Sequence, residues 1–124
     1  QITGIYDTTG EMFRIYNAAF SRFPDNEGLK YWIKQYSEGI DDYEIVSKSF
    51  LGSNEFMNKY GDNLTNEIFV EKLYVNVLGR TFDQEGYNYW TGNLNNNIEE
   101  RWSVLWNISQ SNENINIFKE ISGL

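Results

Sequence analysis

The sequence predicts an all-α domain of about eight short helices, built as two tandem four-helix repeats fused into one compact unit. The first observation is a motif, Arg-x-x-Asp-x-Glu-Gly-x-x-Tyr-Trp, that occurs at Arg22–Trp32 and, 58 residues later, at Arg80–Trp90. The second is the spacing of apolar residues around each motif at three and four positions, which is typical of amphipathic helices rather than strands. The repeats run from about 8 to 61 and from about 65 to 123, within a single domain of 124 residues.

The first helix of each repeat is predicted from its ends and its apolar face. Thr8-Thr9-Gly10-Glu11 fits a capping box at the start of one helix, and Pro24 predicts its end. The counterpart is expected to begin at Thr65 or Asn66, and Gly79 fits the left-handed residue that ends many helices. The two apolar faces consist of equivalent residues, Met12, Ile15, Tyr16, Ala19 and Phe20 in one repeat and Val70, Leu73, Tyr74, Val77 and Leu78 in the other.

The second helices are predicted to begin after Asp25 and Asp83, since Asp is a favourable N-cap residue. Gly28 and Gly86 follow in the first turn of these helices. A Gly inside a helix costs about 1 kcal/mol relative to Ala. Its presence in both repeats therefore predicts that a neighbouring helix passes close to the backbone there.

Capping signals also predict the third and fourth helices of each repeat. The third helices are expected to open at Asp41 and Asn97, each with a Glu three residues later. Ser53 and Ser111 are the expected caps of the fourth helices, which end at Gly61 and Gly123. The seam between the repeats is expected at Asp62-Asn63-Leu64.

Composition and charge exclude several classes of function. The net charge of −8 and the pI of about 4.4 argue against nucleic acid and anionic membranes as partners, and no apolar run approaches the roughly 20 residues of a membrane span. His and Cys are both absent, so Ser-His-Asp and Cys-His catalysis and ordinary zinc sites are excluded. The sequence nominates no pair of acids for a glycosidase. We therefore expect no enzyme and no cofactor.

Arg22 and Arg80 lie at the end of the first helix in each repeat. The sequence predicts that each braces two helices by pairing with an acid at the start of the next one, and a recognition site is the alternative. The expected partners are Asp25 or Glu27 for Arg22, and Asp83 or Glu85 for Arg80.

Calcium is only a weak candidate ligand. The segments from Asp25 and from Asp83 resemble the start of an EF-hand loop, which requires a bidentate Glu at its twelfth position. That position holds Tyr36 in one repeat and Leu94 in the other. A looser carboxylate site at residues 41–42 stays open.

Trp102 and Trp106 mark the clearest difference between the repeats. They occupy the register that Glu44 and Lys48 hold in the first repeat, so a charged helix face becomes aromatic. We expect the rest of the chain to bury the pair. The alternative is an exposed patch that stacks on a sugar or anchors a protein partner.

Trp32 and Trp90 are expected to be structural because they lie on the core face of the second helices. Tyr31 and Tyr89 precede them and are rotated by about 100° from that face. They either hydrogen-bond through their hydroxyls at the core edge or form exposed contacts, and we expect the hydrogen bonds.

The repeated Leu-Gly-Arg-x-x-Asp-x-x-Gly-x-x-Tyr-Trp, followed by Ser-x-Glu, resembles a bacterial domain of unknown function. That domain is common in large secreted and surface-layer-type proteins, and is distantly similar to the helical linker domain of phycobilisomes. The resemblance extends from about Glu11 to Phe118 and departs at Ser21, where Gly is usual, and at Phe82, where Pro is usual. It implies an all-helical, non-catalytic module of a secreted or cell-surface protein.

These observations predict an interaction or scaffold module that acts by protein–protein contact or self-association. The alternative is a carbohydrate-binding module. The candidate binding residues for either function are Trp102, Trp106, Tyr31 and Tyr89.

Overall fold

A computed structural model describes residues 3–22, 24–39 and 42–122, with side chains described between residues 9 and 119. Within these ranges the chain forms eight α-helices and no strand, which confirms the predicted all-α class. None of the described helices is long and apolar enough to cross a membrane. The helices are α1 (Thr3–Phe20), α2 (Asn26–Ser37), α3 (Tyr43–Leu51), α4 (Asn54–Tyr60), α5 (Asn66–Leu73), α6 (Gln84–Asn95), α7 (Arg101–Ser109) and α8 (Asn112–Ser122), and α5 continues into a π-helical turn (Tyr74–Leu78).

The start of α1 differs from the sequence prediction. The helix begins at Thr3, and Thr8 lies inside it, so the capping box predicted at Thr8 is wrong. Because an N-cap contributes only about 1 kcal/mol, the residues before it extend the helix at little cost. Phe23, the residue before the predicted helix stop at Pro24, lies outside the described residues.

Several predicted caps are confirmed. The Asp25 carboxylate accepts a hydrogen bond from the Gly28 N–H at 2.7 Å, and Thr65 caps α5 through its hydroxyl. The hydroxyls of Ser53 and Ser111 accept N–H groups in the first turns of α4 and α8 at 3.1 and 3.2 Å. These caps were predictable because each depends on residues three positions apart.

The starts of α3 and α7 require corrections. The N-cap of α3 is Asp42, whose carboxylate accepts the Ile45 N–H at 2.9 Å, and Asp41 lies outside the described residues. Asn97 does not cap α7 but has a φ of 58° in the turn after α6. Glu100 occupies the N-cap position without a side-chain cap bond, since the Asn97 turn displaces the helix start by three residues. The predicted end of the last helix, Gly123, also lies outside the described residues.

The helices of the two halves correspond in position along the chain. The bounds of α6 and α7 are those of α2 and α3 displaced by 58 residues. Gly79 takes the predicted left-handed conformation with φ of 68°, and Ser21, its counterpart, has φ of 55°. The tandem-repeat organisation stays a prediction, and these correspondences support it.

The buried residues form one cluster that includes side chains from both halves of the chain. α1 and α3 both pack against α7, so the halves share a core. Fully buried members are Ile15, Ala18, Ala19, Val46, Tyr60, Phe69, Val70, Leu73, Val104 and Leu105.

Candidate interaction surfaces

Trp102 and Trp106 do not form an exposed aromatic platform. Trp106 is only 9% exposed and packs against Tyr43 and Tyr36, with ring centres 5.2 and 6.1 Å apart. Trp102 is half-buried and lies 5.8 Å from Tyr43, and its indole N–H is buried without an acceptor in the described chain. Helix α3 therefore covers this face of α7. The expectation of burial is right for Trp106 and only partly right for Trp102.

Tyr31 and Tyr89 are exposed, so the expectation that they hydrogen-bond at the core edge is wrong. Their side chains are 54% and 59% exposed. Each ring stands edge-on against the following Trp, with ring centres 4.9 Å apart in both cases. The 100° rotation from the core face turns the hydroxyls to solvent instead of to the core. These are two similar aromatic contacts on α2 and α6.

Trp32 and Trp90 are partly buried against the core, as expected for structural residues. Trp32 meets the Phe50 ring edge-on at 4.9 Å. Burial raises the pKa of the Tyr74 hydroxyl, and the Trp90 side chain beside it acts on that pKa in the opposite direction. Each Trp thus fixes its helix against the core beneath an exposed Tyr.

Arg22 and Arg80 each form a bidentate ion pair. Arg22 donates to both oxygens of Glu55 at 2.7 and 3.0 Å, and Arg80 donates to both oxygens of Glu113 at 2.7 and 2.9 Å. Both pairs span 33 residues and lie near the surface. The bidentate pair in each half therefore joins the end of its first helix to the start of its fourth.

This arrangement changes the partners that the sequence predicted. Among the predicted partners, Asp83 is confirmed, since its carboxylate lies 3.3 Å from Arg80. The bidentate acid belongs to the Ser-Asn-Glu segment in both halves, a partner that lies too far along the chain for local spacing to reveal. The candidate acids of the prediction were Asp25, Glu27, Asp83 and Glu85.

The ion pairs shift the ionisation of the groups involved. Hydrogen bonds with Glu55 and Glu113 raise the pKa of Arg22 and Arg80. The Arg80 guanidinium holds the pKa of Glu113 below its ordinary value. The pKa of Asp83 is also lowered, first by the Gly86 N–H and then by Arg80.

The two first-turn glycines have different surroundings. A Cβ at Gly86 would collide with the Tyr74 hydroxyl, which lies directly against the helix backbone. A Cβ at Gly28 would meet only its own N-cap, with Asp25 Oδ1 at 3.1 Å. The predicted close approach of a neighbouring helix is therefore right for Gly86 and wrong for Gly28.

The family described as Domain of unknown function (DUF4214) matches residues 47–118, more than half of the chain. The chain belongs to the DUF4214 family. No curated protein and no solved structure matches it. The match confirms the resemblance to a domain of unknown function, whereas bacterial origin and similarity to phycobilisome linkers stay predictions.

The DUF4214 segment runs from within α3 to α8, across the predicted seam between the repeats. It contains Arg80, Glu113 and Gly86, and it also contains Glu55 without its partner Arg22. The family segment alone therefore contains one complete bidentate pair, Arg80–Glu113, and half of the other.

Several acidic residues of this DUF4214 chain act in caps and ion pairs. Asp25 and Asp83 each direct a carboxylate oxygen to an N–H at a helix start. In the part of the chain that the structure describes, no group of three or more acidic side chains is placed to hold a metal ion. The looser site at residues 41–42 lies partly outside that part.

A surface cleft with a volume of about 580 Å³ lies between the end of α3 and the start of α7. The sequence reasoning missed this site because it depends on how the two halves pack. Trp102 was the only cleft residue that the sequence singled out for binding. The polar and aromatic residues that line the cleft include Lys48, Asn97, Glu99, Glu100, Arg101 and Trp102.

Proposed function

We propose that this DUF4214 chain is a non-catalytic interaction module of a secreted or cell-surface protein, and that it binds a protein partner. The single observation that carries the proposal is the exposure of Tyr31 and Tyr89 at equivalent positions on α2 and α6. Exposed Tyr side chains supply large contact areas at protein interfaces. The location outside the cell depends on the sequence resemblance alone.

The surroundings of these Tyr residues indicate the chemistry of the partner. An exposed acid precedes each Tyr by four positions, Glu27 on α2 and Glu85 on α6, so acid and ring share a helix face. We call these pairs the Glu–Tyr dyads. A carboxylate beside a π-face suits an Arg or Lys side chain, which forms an ion pair with one and a cation–π contact with the other.

Net charge favours a basic partner over a second copy of the chain. A charge of −8 attracts basic surfaces at long range and opposes association between copies. The α6 dyad is the better site for a cation, because α6 contains no Lys or Arg, whereas Lys30 and Lys34 flank Tyr31 on α2. We therefore expect Tyr89 to contribute more than Tyr31.

An NMR titration with a peptide of alternating Arg and Gly residues tests the proposal, with the same peptide carrying Glu for Arg as the control. The Arg peptide should shift the α6 amide signals in a saturable way. Tyr89→Ser should weaken binding about tenfold, equivalent to about 1.4 kcal/mol, and Tyr31→Ser should weaken it less. Shifts spread over the acidic surface, unchanged in Tyr89→Ser, would contradict the proposal.

Sedimentation equilibrium separates this function from self-association. The mass should stay that of one chain as the protein concentration rises. A concentration-dependent mass that Tyr89→Ser abolishes would replace the basic partner with a second copy. Trp106, one of the four candidate residues of the carbohydrate alternative, is buried and does not offer its ring to a sugar.

A further inference from the structure

We propose that the cleft between α3 and α7 binds a saccharide, with Trp102 as the wall against which a sugar ring packs. The cleft is separate from the Glu–Tyr dyads, and this inference does not rest on the function proposed above. Three observations support it: the two ends of the α3–α7 contact carry different side chains, polar groups line the end that is open, and the indole N–H of Trp102 is buried without an acceptor in the described chain.

Aromatic side chains fill one end of the α3–α7 contact. Tyr43 at the start of α3 packs on Trp106 in the second half of α7, at 5.2 Å. Tyr36, at the end of α2, closes the same cluster at 6.1 Å from Trp106. Three rings thus occupy the space between the helices at this end.

The opposite end has the same register but different side chains. The residues displaced by 58 positions from Tyr36 and Tyr43 are Leu94 and Arg101, and Lys48 is the counterpart of Trp106. All three line the cleft of about 580 Å³. An aliphatic and two cationic side chains leave open the space that rings fill at the other end. The volume lies within the range of small-molecule sites, about 300–1,000 Å³.

The polar groups of the cleft suit a neutral ligand with many hydroxyls. Lys48, Arg101, Glu99 and Glu100 place charges of both signs around the cleft, so neither a simple anion nor a simple cation is favoured. The side chains of Glu100 and Asn97 are exposed and form no hydrogen bond with other described residues. Sugar hydroxyls both donate and accept, so they can bind the Glu100 carboxylate, the Asn97 amide and the Arg101 guanidinium together.

Arg101 is held in place for this role. Its Nε donates to Asn66 Oδ1 at 3.0 Å and its Nη2 donates to the Leu64 carbonyl at 2.7 Å. The guanidinium also lies 5.2 Å from the centre of the Phe69 ring. Its position is therefore set before any ligand arrives, and its Nη1 group can donate to a ligand.

Trp102 provides the second, independent observation. Its indole N–H is buried and has no acceptor in the described chain, and an unpaired buried donor costs free energy. Because Trp102 lines the cleft, a sugar ring that packs against it changes the surroundings of this N–H. Saccharide binding should therefore be visible directly at the Trp102 indole signal.

The test is an NMR titration with cellotriose, chitotriose and maltotriose, followed through the indole N–H signals. The Trp102 signal, assigned from its loss in Trp102→Phe, should shift saturably with at least one trisaccharide. Triglycine and inorganic phosphate are the control ligands. No shift with any of the three sugars, or an equal shift with triglycine, would overturn the proposal.

Variants locate the binding within the cleft. Lys48→Trp places at the open end the side chain that fills the other end, and should weaken saccharide binding at least about tenfold. Lys48→Ala removes the same charge and the ion pair with Glu44 without filling the cleft, so it should weaken saccharide binding clearly less than Lys48→Trp does. Glu100→Ala, a change at an exposed side chain, should weaken binding without affecting the fold. Binding that persists in both Lys48→Trp and Glu100→Ala would overturn the site.

The proposal for the Glu–Tyr dyads and the proposal for the cleft can be tested independently. Tyr89→Ser should leave saccharide binding intact, and Lys48→Trp should leave binding of the Arg peptide intact. A variant at one site that abolishes both activities would show that the two ligands share a surface, which would overturn the cleft as a separate site.

Discussion

At the scale of single residues, Ser21 and Gly79 occupy the same left-handed backbone conformation, with φ of 55° and 68°. A residue with a Cβ pays about 1–2 kcal/mol in this conformation, whereas Gly adopts it freely. Ser21→Gly should therefore stabilise the protein by about 0.5–1 kcal/mol, after the greater entropy of the unfolded Gly chain is subtracted. Urea unfolding measures the change.

The reciprocal substitution is the control for this prediction. Gly79→Ser should destabilise the protein by a similar amount, because among the described residues beyond its chain neighbours no heavy atom lies within 4 Å of the added Cβ, so only backbone strain acts. The two substitutions together therefore measure the free-energy cost of a Cβ in the left-handed backbone conformation. The two substitutions must change the free energy of unfolding in opposite directions. A Gly79→Ser variant more stable than the unaltered protein would show that the strain argument is wrong.

Gly86 is the position where an added methyl group should do the most damage. Gly86→Ala forces a Cβ into the Tyr74 hydroxyl, and overpacking of this kind costs about 1–3 kcal/mol. Gly28→Ala meets only a cap carboxylate and should change stability by less than about 1 kcal/mol. Thermal and urea unfolding of the two variants give the comparison.

A double-mutant cycle tests the cause. Tyr74→Phe removes the hydroxyl that a Cβ at Gly86 would meet. In that background Gly86→Ala should cost clearly less than in the natural chain. Simple additivity of the two changes would show that the collision with Tyr74 is not the source of the destabilisation.

At the scale of helices, the bidentate pairs Arg22–Glu55 and Arg80–Glu113 connect elements that are far apart in sequence. The first pair holds α1 to α4, and the second holds the π-helical turn to α8. Each Arg also lies over a Tyr ring, about 5.0 Å from its centre for Arg22 and 5.1 Å for Arg80. The ring and the carboxylate together restrict the guanidinium, which makes these pairs more specific than isolated surface contacts.

The Arg80–Glu113 pair should contribute to the dependence of stability on pH. The folded-state pKa of Glu113 is lowered from 4.5, so its contribution is present above that pH and is lost as the pH falls through the lower, folded-state value. The side chains are about 40% exposed, which limits the contribution to about 1 kcal/mol. Glu113→Gln should therefore destabilise the protein at neutral pH, and the difference should shrink steadily below pH 4.5.

Urea unfolding of both proteins across this pH range gives the measurement. Arg80→Lys is the matched background, because Lys cannot form the bidentate pair. Glu113→Gln should have a smaller effect there. A difference between the proteins that stays constant from neutral pH to strongly acidic pH would rule out the ion pair as its source.

The sequence predicted what depends on nearby residues. Asp25 and Asp83 were identifiable as caps because the N–H that each accepts lies three positions away. Glu55 was not identifiable as the partner of Arg22, since no local rule connects residues 33 positions apart. The Ser-Asn-Glu segments, present in both halves, were the available signal.

The candidate site was harder to predict than the helices because it depends on packing between the halves. Trp106 is buried because Tyr43 comes from the other half to cover it, and the cleft is open because Arg101 stands where the equivalent Tyr43 would fill it. The spacing of apolar residues shows which face of a helix is apolar, and the capping residues show where the helix begins and ends. Neither shows which other helix covers that face. Tyr31 was misassigned for the same reason, since its side chain is 54% exposed in the folded chain.

At the scale of the whole molecule, the shared core predicts that the DUF4214 segment is not an independent folding unit. Residues 47–118 lack α1, whose Ile15, Ala18 and Ala19 are fully buried, and they lack Val46 in α3. An Ile side chain contributes about 2 kcal/mol on burial, and domains of this kind are stable by only about 5–15 kcal/mol. Loss of the buried face of α1 would therefore remove much of the stability of the core.

A fragment of residues 47–118 should accordingly show weak helical circular dichroism and no cooperative thermal transition, because short helices are marginal without tertiary contacts. A fragment of residues 1–118 is the control: it keeps α1 and should unfold in one transition close to that of the whole chain. The Tyr60 hydroxyl donates a buried hydrogen bond of 2.9 Å to the Ala18 carbonyl. The shorter fragment lacks Ala18 and would lose this bond. Cooperative unfolding of 47–118 alone would show that the family segment carries its own core, with α1 and α2 as an addition to it.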